Sequence, residues 1–317
     1  MPIKDVKVTI DGNTYTLTDN GDGTYSKTLT APNKSSYQRT GHYYPVTIVA
    51  TNMAGTSTTV NSSHETLGEF CRLVVKEVTA PTITIKKPTA DQYFATATPE
   101  MEFELWDEAY GSRVAISTLK ITVDGTTYTN TSNGVTVEQI TKNVSSGGTS
   151  TTRYGYSVKL IPSTALVDGN HTVNLTVEDN DGNKATSNTI KFTTDTVAPT
   201  LTISNPSTSG TYTANSTLVV TGKATDSTSG KPTVKIKVNN ASDQTVSVSS
   251  DGSFTQSVTL ANGTNTIVIT ATDKVGKVTT ITRTIILDTS SPVVASIEIT
   301  PNPVEVGGSY TVKVTVS

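Results

Sequence analysis

The residues of this chain with chemistry to offer are carboxylates at short spacing. Asp107-Glu108 is a direct pair, and Asp179-Asn180-Asp181-Gly182 and Asp19-Asn20-Gly21-Asp22-Gly23 are acidic, glycine-rich stretches. Oxygen ligands crowded into a turn suit Ca2+. Further acids, Glu77, Asp195 and Asp288, recur at equivalent places along the chain, where they could join loop acids such as Asp107 and Asp226. The Ca2+ candidates are therefore Asp107, Asp179, Asp181, Asp195, Asp226 and Asp288. Neither acidic stretch has the spacing of an EF-hand loop. Both are also compositions that turns favour on conformational grounds. No cofactor is expected, and Ca2+ is the ion that these residues would suit.

Catalytic arrangements find less support. His42, His64 and His171 stand in unrelated settings, outside any His-Glu-x-x-His or similar metal spacing. No nucleophile elbow, phosphate loop or zinc cluster is present. Asp107…Gly111 and Asp226…Gly230 have equal spacing, which reads as a repeated turn and not as an acid–base dyad. The expectation is a protein that is not an enzyme. With a single cysteine, Cys71, there is no intramolecular disulfide framework. Its followers Arg72-Leu73-Val74-Val75 read as a strand with Cys71 a buried thiol.

The elements that position these residues are strands. Only 16% of residues are charged and 34% hydrophobic, with Thr and Ser filling much of the rest. That is poor material for amphipathic helices and good material for strands with one solvated face. One phrase recurs as VKVTIDG at 6–12, LKITVDG at 119–125 and VKIKVNN at 234–240, alternating apolar and polar residues before a turn. Asp-Gly and Asn accept the positive φ of a tight hairpin. A second phrase, Val46–Gly55, Val173–Gly182 and Ile267–Gly276, is a strand followed by Asn or Asp and, three residues later, Gly. A third sets Pro81, Pro199 and Pro292 at seams roughly 90–120 residues apart. Proline cannot donate to a ladder and so punctuates between sheets.

This period, with short strands and frequent turns, predicts an all-β chain of tandem immunoglobulin-like sandwiches forming a stiff, elongated rod. The seams divide it into 1–77, a partial module lacking its first two strands; 78–195 and 196–288, whole modules; and 289–317, an opening strand pair alone. The opening strands of the whole modules are expected near Thr82–Ile85 with Met101–Leu105 and Thr200–Ile203 with Thr217–Val220. The Asp195-Thr-Val-Ala-Pro seam and the Ala-Thr-Asp turn ending at Gly276 resemble those of bacterial Ig-like repeat domains. Such modules serve as spacers, stalks and adhesins. The whole chain also resembles Ig-like proteins of phage and prophage tail regions of Gram-positive gut bacteria. Lys34-Ser35-Ser36-Tyr37, Gly41-His42-Tyr43-Tyr44, the three VKVTIDG-type phrases, Asp195-Thr-Val-Ala-Pro and Ile299-Thr300-Pro301-Asn302-Pro303-Val304 carry that likeness. It implies a structural or adhesive virion component of tail, baseplate or capsid. The alternative is a bacterial cell-surface adhesin or fibre stalk.

The deficient first module and the surplus last strand pair admit three explanations: a fragment of a longer array, reduced end modules, or complementation between subunits. In the last, Val312, Val314 and Val316 would enter a partner beside an exposed edge at Val6, Val8 and Ile10. Partners would be copies of the chain, other virion proteins or bacterial surface polysaccharide. The candidate binding loops are two insertions. The first holds His64 and Phe70; the second runs from Thr131 to Arg153, with a flexible tip at Ser145–Thr152, followed by Tyr154 and Tyr156. A net charge of −3 without a basic stripe argues against nucleic acid. No stretch approaches the ~18 apolar residues of a membrane span. The start resembles no signal peptide; if Met1 is native, synthesis in the host cytoplasm and release without ordinary secretion are expected. Far-UV circular dichroism should show no helical minima, and helix above about a tenth of residues would contradict the sandwich reading.

Overall fold

The computed structural model describes residues 2–146 and 148–317; Gly147, in the expected flexible tip, lies outside them. The chain forms two compact units, Met1–Asp195 and Thr196–Ser317. Helix among the described residues is confined to the short 3-10 turns Ser36–Gln38, Thr40–His42 and Gly68–Cys71.

Residues 82–194 form a two-sheet sandwich. One sheet orders Val135–Ser146, Thr149–Leu160, Met101–Trp106 and Thr82–Lys87. The other orders Thr126–Thr129, Val114–Val123, Gly169–Asp179, Ile190–Thr194 and Gln92–Phe94, with Lys184–Thr186 also on Gly169–Asp179. Strand alternation places Met101, Phe103, Leu105, Val158 and Leu160 against Leu119, Ile121, Val123, Val173, Leu175 and Phe192. Gln92–Phe94 pairs in parallel with Ile190–Thr194, so the chain crosses between sheets after its first strand.

Residues 200–287 repeat the plan. Thr200–Asn205, Thr217–Thr225 and Ser253–Thr259 make one sheet. The facing sheet orders Thr211–Thr213, Val278–Leu287, Gly263–Thr272, Thr233–Val238 and Gln244–Val246. Val220, Phe254 and Val258 pack with Val234, Ile236, Ile267, Ile269 and Ile285. Thr211–Thr213 again runs parallel to its partner. The recurring first phrase thus becomes the same strand each time, and Asp11 (φ 49°) and Gly12 (φ 77°), like Asp124 (φ 47°) and Gly125 (φ 85°), make the expected positive-φ turn.

Residues 2–77 differ. Their main sheet orders Asn13–Thr16, Ile3–Ile10, Tyr44–Asn52 and Ser57–Val60, and Arg72–Leu73 adds to Tyr44–Asn52. Among the described residues, its buried hydrophobic side chains are Val8, Tyr44 and Cys71, with Tyr44 fully buried. Ile3–Ile10 pairs on both sides, with Asn13–Thr16 and with Tyr44–Asn52. Val6, Val8 and Ile10 therefore do not border an open edge, contrary to the expectation from sequence. The VKVTIDG strand is followed at once by a hairpin return that occupies that edge. The strand expected over Arg72–Val75 is only Arg72–Leu73, because Cys71 ends a 3-10 turn and Val75 is drawn to Ser36 instead.

The last hairpin pairs Val294–Thr300 with Thr311–Val316. Ile297 faces Val314 and Ile299 faces Val312 across the ladder. Every residue of both strands is exposed. The contrast between core and hairpin is testable by urea unfolding of the whole protein. Phe103→Ala should remove about 3–5 kcal/mol from the transition of the unit that contains it. Lys313→Ala, on the other face of the exposed hairpin, should leave both transitions within about 0.5 kcal/mol.

Candidate functional site: a carboxylate cluster at the first seam

The seam ahead of the first sandwich ends in Glu77, and two loops of that sandwich meet it. The first loop follows strand Met101–Trp106 and carries Asp107 and Glu108; the second follows Gly169–Asp179 and runs through Gly182. Carboxylate oxygens of Glu77, Asp107 and Asp179 all lie within 4.8 Å of one another. Asp107 is 1% exposed and Asp179 3%.

Their bonding is uneven. Asp179 Oδ1 accepts from the backbone N–H groups of Asp181 (2.9 Å) and Asn183 (2.8 Å), and Oδ2 accepts from Asn183 Nδ2 at 2.8 Å. Asp179 thus shapes its own turn, as an Asx residue three positions before a glycine should. Asp107 Oδ1 accepts from Glu108 N at 3.0 Å. Glu77 Oε1 accepts from the Ser112 backbone. Asp107 Oδ2, Glu77 Oε2 and Glu108 Oε2 are buried without a hydrogen-bond partner. None of the four acids forms an ion pair with Lys, Arg or His among the described residues. Burial, then the neighbouring Glu108 carboxyl, pushes Glu77 up to about 7. Burial, then the charge of Glu77, raises Asp107 to about 6, against the lowering pull of the Glu108 and Arg113 backbone N–H groups.

Gly111 makes the cluster possible. A Cβ there would stand 2.7 Å from Asp107 Oδ2 and 2.8 Å from Glu77 Oε1. The two carboxylates aim at the space that a side chain would fill.

Of the other acids singled out in the sequence, Asp181, Asp226 and Asp288 accept hydrogen bonds from nearby residues. Asp181 Oδ2 accepts from Ser35 Oγ at 2.7 Å and from Glu77 N at 3.0 Å, so it latches the seam instead of facing the cluster. Asp226 Oδ1 accepts from Thr228 N and Ser229 N. Asp195 is fully buried, and its backbone N–H donates to Phe94 O at 2.9 Å. Asp288 is exposed and accepts from Ser290, which lowers its pKa. Asp19 and Asp22 cap their own turn through Gly21 N and Thr24 N. In the second unit, Asp273 repeats the Asp179 turn, its Oδ1 accepting from Val275 N and Lys277 N, with a buried, unpartnered Oδ2.

The insertions correct two expectations. Residues 135–160 form a long hairpin, with Tyr154 and Tyr156 in the strand Thr149–Leu160 and not in a loop. The Arg113 guanidinium lies 4.0 Å from the Tyr154 ring centre, and Tyr156 packs on the core. His64 and Phe70 do lie in an irregular exposed segment, Phe70 being 83% exposed.

A second polar constellation escaped the sequence reading, which found only that His171 lies outside any metal spacing. His171 is 4% exposed. Its Nδ1 lies 2.6 Å from Asp124 Oδ2, and its Nε2 lies 2.9 Å from both Val167 O and Thr194 Oγ1. Both ring nitrogens face oxygen, Nδ1 a carboxylate and Nε2 a carbonyl and a hydroxyl, so the ring is held at both ends. Asn239 and Asn265 occupy these places in the next sandwich, bonded at 3.0 Å.

Residues 111–196 match a family model described as a bacterial Ig-like domain. Residues 199–289 match one described as glucodextranase, domain B. Solved structures show the same kind of fold at low identity. Fibronectin(III)-like modules of Clostridium thermocellum CbhA are 15% identical, covering 65% of this chain and 94% of theirs, with a TM-score of 0.36. A tetra-tandem repeat from the extending region of a large adhesion protein is 17% identical, covering 100% and 81%, at 0.33. A structure of a 1.5-MDa bacterial ice-binding adhesin is 20% identical, covering 90% and 86%, at 0.31. No curated protein sequence matches the chain. The fold is all-β, a tandem of Ig-like β-sandwich modules.

The Asp124–His171 pair yields a pH prediction. Burial acts to raise the Asp124 carboxyl, but hydrogen bonds from His171 and Thr172 outweigh it and leave the pKa lowered. The stabilisation is therefore complete above the ordinary Asp value of ~3.9 and is lost as pH falls through the lower folded value. Asp124→Asn should cost about 1.5–3 kcal/mol at pH 7 by urea unfolding. That difference should shrink towards zero near pH 2; a constant difference would assign the loss to packing.

Proposed function

We propose that this chain is a non-enzymatic structural and adhesive component of a phage virion, carried on its tail, baseplate or capsid. Copies join through the hairpin Val294–Thr300/Thr311–Val316. The observation that carries this reading is the hairpin's apolar face. Ile297, Ile299, Val312 and Val314 share it and stand 64%, 44%, 51% and 49% exposed. Two strands alone are marginal in water, and such a face needs cover.

The occupant we assign is a second copy's residues 2–77. In both sandwiches the opening strand pair packs across from the recurring-phrase strand. In residues 2–77 the recurring-phrase sheet instead borders an open concavity of about 440 Å3, lined by Ile10, Tyr15, Leu29 and Leu73. Because Ile3–Ile10 is paired on both sides, the added hairpin covers a face; it does not extend a ladder at Val6. The virion setting is supported by the likeness of Lys34–Tyr37, Gly41–Tyr44, the recurring VKVTIDG-type phrase and Ile299–Val304 to phage tail-region proteins. The exposed Phe70 and its neighbour His64 offer an aromatic loop for weak contact with bacterial surface polysaccharide.

Light scattering and electron microscopy should show full-length protein associating and Val314→Asp remaining monomeric, since an unpaired buried charge costs several kcal/mol. Equal behaviour of the two proteins rejects the hairpin as the joint. Immunogold labelling of purified particles tests the setting. Label on the bacterial envelope and none on particles would replace the virion with a cell-surface adhesin or fibre stalk, the reading that the bacterial Ig-like match favours.

A further inference from the structure

The geometry points to a Ca2+ site at the first seam, with Glu77, Asp107 and Asp179 as ligands and Glu108 in reach. Two oxygens on opposite sides of one Ca2+ stand about 4.6–5.2 Å apart, given Ca–O distances of ~2.3–2.6 Å. The three carboxylates fall inside that span, at 4.8 Å or less from one another.

An acidic cluster alone would not make a site, because loops gather acids for other reasons. Here a second observation applies. Asp107 is 1% exposed, and its Oδ2 has no hydrogen-bond partner. Glu77 Oε2 and Glu108 Oε2 share that condition. A buried carboxylate oxygen with nothing to accept from costs several kcal/mol, and the cost rises with every like charge beside it. The cluster includes no Lys, Arg or His partner among the described residues. The orphaned Asp107 and Glu77 oxygens converge beside Gly111, where no Cβ intrudes. A hard divalent cation in that space satisfies all of them at once.

The donor set selects among cations. It is entirely oxygen, with no thiolate or imidazole in the cluster, which disfavours Zn2+. Several carboxylates from separate loops suit the adjustable coordination of Ca2+. Mg2+ demands a near-ideal octahedron and retains most of its waters.

Position gives the cation a mechanical role. Glu77 closes residues 2–77, whereas Asp107 and Asp179 belong to the loops of the following sandwich. An ion held by all three ties one module to the next at the point where the Asp181 latch already joins them. The site is a cross-brace whose strength depends on the Ca2+ of the surrounding medium.

The test uses full-length protein stripped with chelator. Isothermal titration with CaCl2 should show binding with a Kd of roughly 10⁻⁵–10⁻³ M, the range of moderately charged, partly open sites. Calorimetric scans should show a Ca2+-dependent rise in the melting of the unit that contains Glu77, as ligand binding to the folded state requires. MgCl2 at equal concentration should give a clearly smaller rise. Glu77→Gln and Asp107→Asn should each remove one site from the isotherm or weaken it at least tenfold. Gly111→Ala should do likewise by filling the space. Asp288→Asn, an exposed acid, should bind as the parent does. Absence of Ca2+ heat and of any melting shift in the parent overturns the proposal whatever the variants do. Parent-like binding by folded Glu77→Gln also overturns it, and that variant decides the matter should Asp107→Asn fail to fold.

Discussion

Asp181 Oδ2 accepts one hydrogen bond from the Ser35 hydroxyl and one from the Glu77 backbone, and the first 195 residues are organised around that pair of contacts. The sheet of residues 2–77 buries too little to stand as an independent body, with Val8, Tyr44 and Cys71 as its buried hydrophobics among the described residues. It gains order by borrowing the next sandwich. Ser35 N donates to Tyr110 O, Lys34 Nζ sits 4.0 Å from the Tyr110 ring centre, and Asn183 Nδ2 donates to Glu77 O. The Tyr110 contacts come from the loop that follows Met101–Trp106, and the Asn183 bond and the Asp181 latch come from the loop that Asp179 shapes, so the turns that end two strands also fix the neighbouring segment. The carboxylate cluster lies at the same junction because the seam can be tied down only where both loops reach it.

The three copies of the recurring phrases solve one corner in three ways. The position that precedes the second phrase by two residues is Tyr44, His171 or Asn265, buried in each case. Its partner in the hairpin turn is Asp11, Asp124 or Asn239. Asp124 meets His171 directly, and Asn239 meets Asn265 directly. Asp11 instead binds Arg39 at 2.6 Å, and that guanidinium lies over the Tyr44 ring. One backbone geometry accepts an imidazole–carboxylate pair, an amide pair or a relayed cation, provided each buried polar atom is matched. The composition of such a corner drifts while the strands around it stay in register.

Much of this was legible in the sequence because strand alternation and turn chemistry are local. Val6, Val8 and Ile10, and their counterparts, declared a half-buried strand, and Asp11-Gly12 its turn. Glu77, Asp107 and Asp179 could be singled out as acids at repeated loop positions. Their convergence could not, since it depends on how two loops and a seam fold together. Asp181 and Asp179 look alike in sequence, two residues apart, yet one points to the seam and the other to the cluster. The edge assigned to Val6 failed for a related reason: a period of two gives the buried face of a strand and is silent about its neighbours. Tyr154 was read as following a flexible insertion, because Ser, Gly and Thr composition does not distinguish an exposed two-stranded hairpin from a loop.

The terminal hairpin has a second face. Opposite its apolar side, Glu298 pairs across the ladder with Lys313, and Ser296 with Thr315. A ribbon greasy on one side and hydrated on the other can be stacked upon once only. Whatever covers Ile297 and Val314 finds water-loving chemistry behind them, so a third layer has no footing. Only one face of the ribbon invites apolar contact, and the hydrated face disfavours the dry sheet-on-sheet stacking that a ribbon apolar on both sides would offer.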